Sequence, residues 1–110
     1  MKRMSLVTVV FLTGLFFLTA QTTNIGNPVQ GKTLFQKHCS SCHGKSGGGL
    51  GPSTHMPNFS DKHYQELRSN LELFNKITKG TEESGMPAWE KILSPEERWN
   101  LVAYIKTLSK

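Results

Sequence analysis

Apolar positions along this chain recur with the period of helices, not with the alternation of strands. Val29, Leu34 and Phe35, with His38, share one face of VQGKTLFQKHC, and Pro28 suits a first turn, so a helix of about ten residues is expected from Val29. Gly31 inside it would cost roughly 1 kcal/mol against alanine, which points to another helix passing close by. Ser60-Asp61 offers the cap of a short helix running through Leu67. Ser69-Asn70-Leu71-Glu72 has the spacing of a capping box, and it opens a helix through Lys79 that Gly80 stops. Leu71, Leu73, Phe74 and Ile77 would form its apolar side. The last element is the most fully specified: Ser94-Pro95-Glu96-Glu97 supplies N-cap, N1 proline and N3 glutamate. Leu101, Val102, Ile105 and Leu108 then make an apolar stripe with Tyr104 beside it, and Lys106 and Lys110 suit the negative end of the dipole. Residues 44–58 hold five of the ten glycines and two of the prolines, which excludes a regular helix and marks a wrapping loop. The expected class is all-α, a small helical domain.

The beginning of the chain breaks this pattern. Lys2 and Arg3 precede thirteen uncharged residues from Leu6 to Leu18, and Thr19-Ala20 follows, the three parts of a secretory signal over residues 1–20. The run is shorter than the about 20 residues a spanning helix needs. Leu18 is larger than preferred three positions before the cut, so an uncleaved anchor is the alternative. Residues 21–28 are polar and turn-rich, a flexible arm, and 29–110 form the folded domain. Without its first 20 residues the 110-residue chain keeps 90, and loss of Lys2 and Arg3 takes the 13 basic residues to 11 against 8 acidic ones, a net charge of +3 instead of +5. Ninety residues exclude doubly wound sheets, barrels and two-domain enzymes, and dispersed basic residues argue against nucleic acid as a partner. Seven aromatics remain to build a core: Phe35, Phe59, Tyr64, Phe74, Trp89, Trp99 and Tyr104. That core is thin, and a further component must help hold the fold.

Both cysteines lie in Cys39-Ser40-Ser41-Cys42-His43, the attachment signature for haem c. Two thiols three positions apart can form thioethers with the two vinyl groups of one haem, and the histidine after the second thiol lies beneath the iron as an axial ligand. A covalently attached haem would supply the missing core. Three alternatives use the same residues: a redox dithiol, which lacks its strand-helix unit here; a structural zinc, which needs four ligands; and a plain disulfide, which leaves His43 without a role.

With Gly51-Pro52, then Gly85-Met86-Pro87-Ala88-Trp89, then a terminal helix containing Leu101-Val102-Ala103-Tyr104-Ile105, the chain resembles a class I cytochrome c over roughly residues 28–108, most closely the small bacterial domains of that class. The resemblance implies one covalently attached haem c, held by Cys39 and Cys42, with His43 and Met86 as iron ligands. Met86 lies 43 residues after His43, enough chain to pass from one haem face to the other. Met56, also followed by proline, is the rival thioether, but it sits only 13 residues after His43, in a loop the family uses on the histidine side. His38, His55 and His63 are further rivals, better read as solvated imidazoles. Pro52 matches the proline whose carbonyl accepts the axial histidine's Nδ1–H, and Trp89 is expected to border the haem, where its indole could reach a propionate. Gly31 and Phe35 match the pair that packs across the C-terminal helix, opposite Leu101 and Tyr104.

Two axial side chains leave no open coordination position, which argues for an electron carrier and not an enzyme. A thioether ligand and a buried haem favour a positive potential, as in late steps of a respiratory chain. The implied partners are a redox protein donor and acceptor, with no nucleic acid and no small-molecule substrate, and membrane contact only through partners or an uncleaved signal. The expected location is the periplasm, since haem c is attached outside the cytoplasm in bacteria. The alternatives are a peroxidase-like or gas-binding haem c protein with a labile sixth ligand, and the cytochrome subunit of a larger oxidoreductase complex. No Ser/His/Asp set is present, and Glu82 with Glu83 reads as a solvated pair.

Overall fold

A computed structural model describes residue 10 and residues 13–15, 26–49 and 56–110 of the chain. Their helices follow in the order α1 (Pro28–His38), α2 (Ser40–His43), α3 (Lys62–Leu67), α4 (Asn70–Lys79) and α5 (Pro95–Thr107). Among the described residues there is no strand, only an isolated antiparallel bridge between Thr81 and Met86, so the molecule is all-α. None of these helices is long and apolar enough to cross a membrane.

The Asn27 side chain caps α1 by accepting from the N–H groups of Val29 and Gln30, and Pro28 occupies the position where a missing donor is harmless. The helix therefore starts one residue before Val29, and Gly26 and Asn27 belong to the folded unit instead of the arm. Asn27 N–H donates to Asn100 Oδ1 of α5 at 2.7 Å, and Asn100 Nδ2 donates to Gln30 Oε1 at 3.0 Å. Asn100 is buried, and the cap and first turn of α1 satisfy both ends of its amide. Next to this clamp, a Cβ on Gly31 would fall on the Asn100 carbonyl, so glycine allows α1 and α5 to meet backbone to backbone. One turn later Phe35 is fully buried, its ring edge-on to Tyr104 at 5.3 Å between centroids. Leu101, Val102 and Ile105 complete the core on α5, joined by Phe59, Leu73, Ile77 and Leu93.

The two expected capping boxes turn out differently. In α5 both halves form: Ser94 Oγ accepts from Glu97 N–H at 3.1 Å, and Glu97 Oε1 accepts from Ser94 N–H at 3.0 Å. That backbone bond from Ser94 holds the Glu97 carboxyl below its usual range. Replacement of Ser94 by alanine is expected to cost about 1 kcal/mol, read as a lower urea midpoint at an unchanged slope. In α4 only half forms. Ser69 Oγ accepts from Glu72 N–H at 3.1 Å, but the Glu72 carboxylate turns to Arg68, 3.7 Å away and one turn back. The apolar side of α4 is also narrower than its sequence suggests: Leu73 and Ile77 are buried, Phe74 stacks on Trp99 at 4.1 Å, and Leu71 is exposed. The end of α3 is fixed from α5, where Lys106 Nζ donates to the carbonyls of Gln65 and Arg68 at 2.9 and 2.6 Å.

Candidate functional site

A cavity of about 660 Å³ lies against the core, within the range typical of cofactor pockets. Phe35, Phe59, Leu73, Ile77 and Ile105 make its apolar floor, and Cys39, His43, Met56 and Met86 bring chemistry to the same walls. Tyr64, Arg68, Glu72 and Lys76 form a polar side, with Thr81, Glu83 and Ser84 near Met86 in sequence.

The cysteine-histidine motif is shaped by a change of helix. Cys39 N–H donates to the Phe35 carbonyl, ending α1, and the Cys39 carbonyl accepts from the N–H groups of Cys42 and His43 at 3.2 and 2.9 Å, starting the single turn of α2. This turn gathers both thiols and the imidazole at the end of α1. Cys39 is half-buried at the cavity wall, Cys42 is exposed, and neither is in a disulfide. Burial, then the neighbouring Cys42, push the Cys39 thiol up to about 11. The His43 ring stacks on Phe59 at 5.0 Å between centroids, with an interplanar angle of 28°. Burial also holds the imidazole below its ordinary pKa, which favours the neutral ring that a metal requires. His43 Nδ1 is buried with no hydrogen-bond partner among the described residues. Pro52, expected to supply that partner, lies outside the described residues, as do Gly51 and His55.

Met86 reaches the cavity on a strap fastened to the end of α4. Thr81 N–H donates to the Met86 carbonyl at 3.0 Å, while the N–H groups of Trp89 and Glu90 donate to the Ile77 and Thr78 carbonyls at 3.0 and 3.2 Å. The last carbonyls of a helix lack partners within it, so the strap completes α4 as α4 positions the strap. Gly80, at φ 62°, lies so close to the Met86 and Pro87 carbonyls that a Cβ would collide with both. Met86 is half-buried and lines the cavity.

The expected site residues are thus partly gathered. Cys39, His43 and Met86 share the cavity wall, with Cys42 exposed one residue before His43. Trp89 is not among the lining residues. Its backbone is drawn to the end of α4 and its ring rests against His38 at 4.9 Å. His63 is exposed on α3. Sequence reasoning missed Tyr64, Arg68 and Lys76, with the Arg68 guanidinium 5.3 Å from the Tyr64 ring centre. The four-residue spacing of Arg68, Glu72 and Lys76 was the available signal. Among the described residues no three His, Cys, Asp or Glu side chains converge on a point, so the zinc alternative has no ligand set there.

These residues fit a haem. The cavity floor is apolar, a neutral imidazole with an orphaned buried nitrogen stands in one wall, and a thiol and a thioether stand in others.

A family model described as cytochrome c oxidase, cbb3-type, subunit III, matches residues 26–105. Among solved structures, the KustC0563 c-type cytochrome is 30% identical, with a TM-score of 0.67 over 73% of this chain and 98% of that one. Cytochrome c6 from the diatom Phaeodactylum tricornutum is 26% identical, with a TM-score of 0.60 over 74% of this chain and 93% of that one. Cytochrome cL from the marine methylotrophic bacterium Methylophaga aminisulfidivorans shares the fold at 23% identity, with a TM-score of 0.62 over 81% of this chain and 56% of that one. No curated protein gives a significant match.

Proposed function

Since the chain belongs to the cbb3-type cytochrome c oxidase subunit III family and is a small c-type cytochrome, an electron carrier with covalently bound haem c, we propose that it carries one electron at a time through a single haem ligated by His43 and Met86. The observation that carries this reading is the presence of Cys39, His43 and Met86 in the walls of one apolar cavity. Cys39 and Cys42 would hold the haem through thioethers, and Pro52 would accept the Nδ1–H of His43, giving the orphaned nitrogen a partner.

When bound, haem c supplies a one-electron Fe(III)/Fe(II) couple. As iron ligands, His43 and Met86 would leave no position for a substrate, and the soft thioether would favour the ferrous state. A haem seated on the apolar floor would face carbon instead of water on that side, which also disfavours the more highly charged ferric state. Arg68 and Lys76, on the polar side of the cavity, would offer cations to the haem carboxylates.

Met86 is favoured over Met56 by how the two segments are tied down. Phe59 stacks on His43 and its N–H donates to the Gly47 carbonyl at 3.0 Å, so the segment that follows Met56 belongs to the histidine side. Met86 is instead carried by α4. Met86→Ala is expected to abolish the long-wavelength thioether-to-iron band of the ferric protein, open the ferrous iron to carbon monoxide, and lower the potential by a substantial fraction of the roughly 0.8 V that axial ligation controls. Met56→Ala is expected to leave all three unchanged. The opposite pattern would transfer the ligand role to Met56.

We place the working protein in the periplasm or on its membrane face, between a redox protein donor and acceptor. The signal-like residues 1–20 support this, and the mass of the exported protein tests it together with haem attachment. Sustained turnover of hydrogen peroxide by the unaltered protein, well above that of free haem, would favour a peroxidase instead.

A further inference from the structure

Arg98 is 6% exposed and forms no ion pair among the described residues. Its Nη1 donates to the carbonyls of Glu90 and Leu93 at 3.1 and 2.5 Å, and its guanidinium stands 5.2 Å from the ring centre of Phe74 on α4. Its Nε is buried with no partner among the described residues. A buried cation without a matching acid is costly, and an unbranched apolar side chain would fill the same space without that cost. What Arg98 adds is a rigid two-carbonyl grip on the turn at residues 89–93. This turn is closed locally by the N–H groups of Ile92 and Leu93, both donating to the Trp89 carbonyl.

The grip acts on the strap that carries Met86. Trp89 and Glu90 are the residues whose N–H groups hold the strap to α4, and Glu90 is also one of the two residues whose carbonyls Arg98 holds from α5. Strain or slack in the turn therefore passes through three residues to Met86. We infer that Arg98 is a positioning residue for Met86: by clamping the 89–93 turn between α4 and α5, it keeps the thioether against the iron. This rests on the His43/Met86 reading.

The test uses the haem-loaded ferric protein and imidazole as the competing ligand, with loss of the thioether band as readout. Arg98→Met, which keeps the bulk and removes the donors, is expected to raise the apparent affinity for imidazole about tenfold, because the thioether spends more time off the iron. Arg98→Lys keeps the cation and a nitrogen that can donate to two carbonyls, as Lys106 does, but on a shorter stem without the rigid guanidinium plane, so a smaller rise is expected; this variant serves if the methionine variant does not accumulate. In a Met86→Ala background, Arg98→Met is expected to leave imidazole affinity unchanged. A lowered thermal midpoint with imidazole affinity within about twofold of the unaltered protein would reduce Arg98 to a structural role and overturn the inference. So would a rise that persists undiminished in the Met86→Ala background. If Met86→Ala alone changes neither the band nor imidazole affinity, the ligand reading itself fails, an outcome distinct from failure of the Arg98 inference.

Discussion

Cys39→Ala/Cys42→Ala is expected to lose the fold together with the prosthetic group. Among the described residues the core has nine buried apolar side chains, five of which line a cavity of about 660 Å³. Left empty, this cleft would leave Phe35, Phe59, Leu73, Ile77 and Ile105 with apolar surface facing water instead of packed against a neighbour. A domain is stable by only roughly 5–15 kcal/mol in total, so losing the packing of five core side chains is a large fraction of it, and the haem counts as part of the core. Without thioethers, retention would depend on His43 and Met86 alone. The double variant should show no haem on the polypeptide after denaturation and acid-acetone extraction. Its haem-free fraction should have weak far-ultraviolet circular dichroism and no cooperative melt. Either single alanine variant keeps one thioether and should retain haem at reduced yield. Cooperative unfolding of the haem-free double variant would show that the helices stand without the group.

Which parts of this architecture were legible in the sequence follows from how local their physics is. The start of α5 depends on Ser94, Pro95 and Glu97 within one turn, and that turn forms as expected. The box at Ser69 failed because Arg68, next in sequence, offered the Glu72 carboxylate a charged partner in place of a backbone N–H. The haem motif is legible because covalent chemistry constrains the spacing of Cys39, Cys42 and His43 directly. Long-range polar contacts leave no such trace. Asn100 falls in an otherwise apolar stripe, and nothing along the chain indicates that it bonds to Asn27 and Gln30, about seventy positions away. Trp89 reads as a cofactor neighbour from its place in Met-Pro-Ala-Trp, whereas the hydrogen bonds of Trp89 and Glu90 to α4 and the contact of its ring with His38 on α1 have no sequence signal. Arg98 is hidden for the same reason. On a helical wheel it is one more basic residue, and only the return of the 89–93 turn beneath it makes it a buried clamp.

The crossing of α1 and α5 gives the largest effect expected from a single methyl group. Gly→Ala in a helix normally stabilises by about 0.4–1 kcal/mol, because alanine restricts the unfolded chain and has the higher helix propensity. At Gly31 the sign should reverse. The added Cβ would lie on the Asn100 carbonyl and only 2.9 Å from Tyr104 Cβ, and the first of these contacts is helix backbone, which cannot swing aside as a long side chain can. The helices would have to separate, and separation would stretch the bonds from Asn27 to Asn100 and from Asn100 to Gln30, leaving a buried amide short of partners. It would also loosen the edge contact of Phe35 with Tyr104, at the residue that forms the cavity floor beside Cys39. Overpacking of this kind typically costs about 1–3 kcal/mol, and for a domain of this size that lowers the melting midpoint by roughly 4–24 °C. Differential scanning calorimetry of the haem-loaded Gly31→Ala protein measures it. A midpoint at or above that of the unaltered protein would mean that the two helices do not meet backbone to backbone at Gly31.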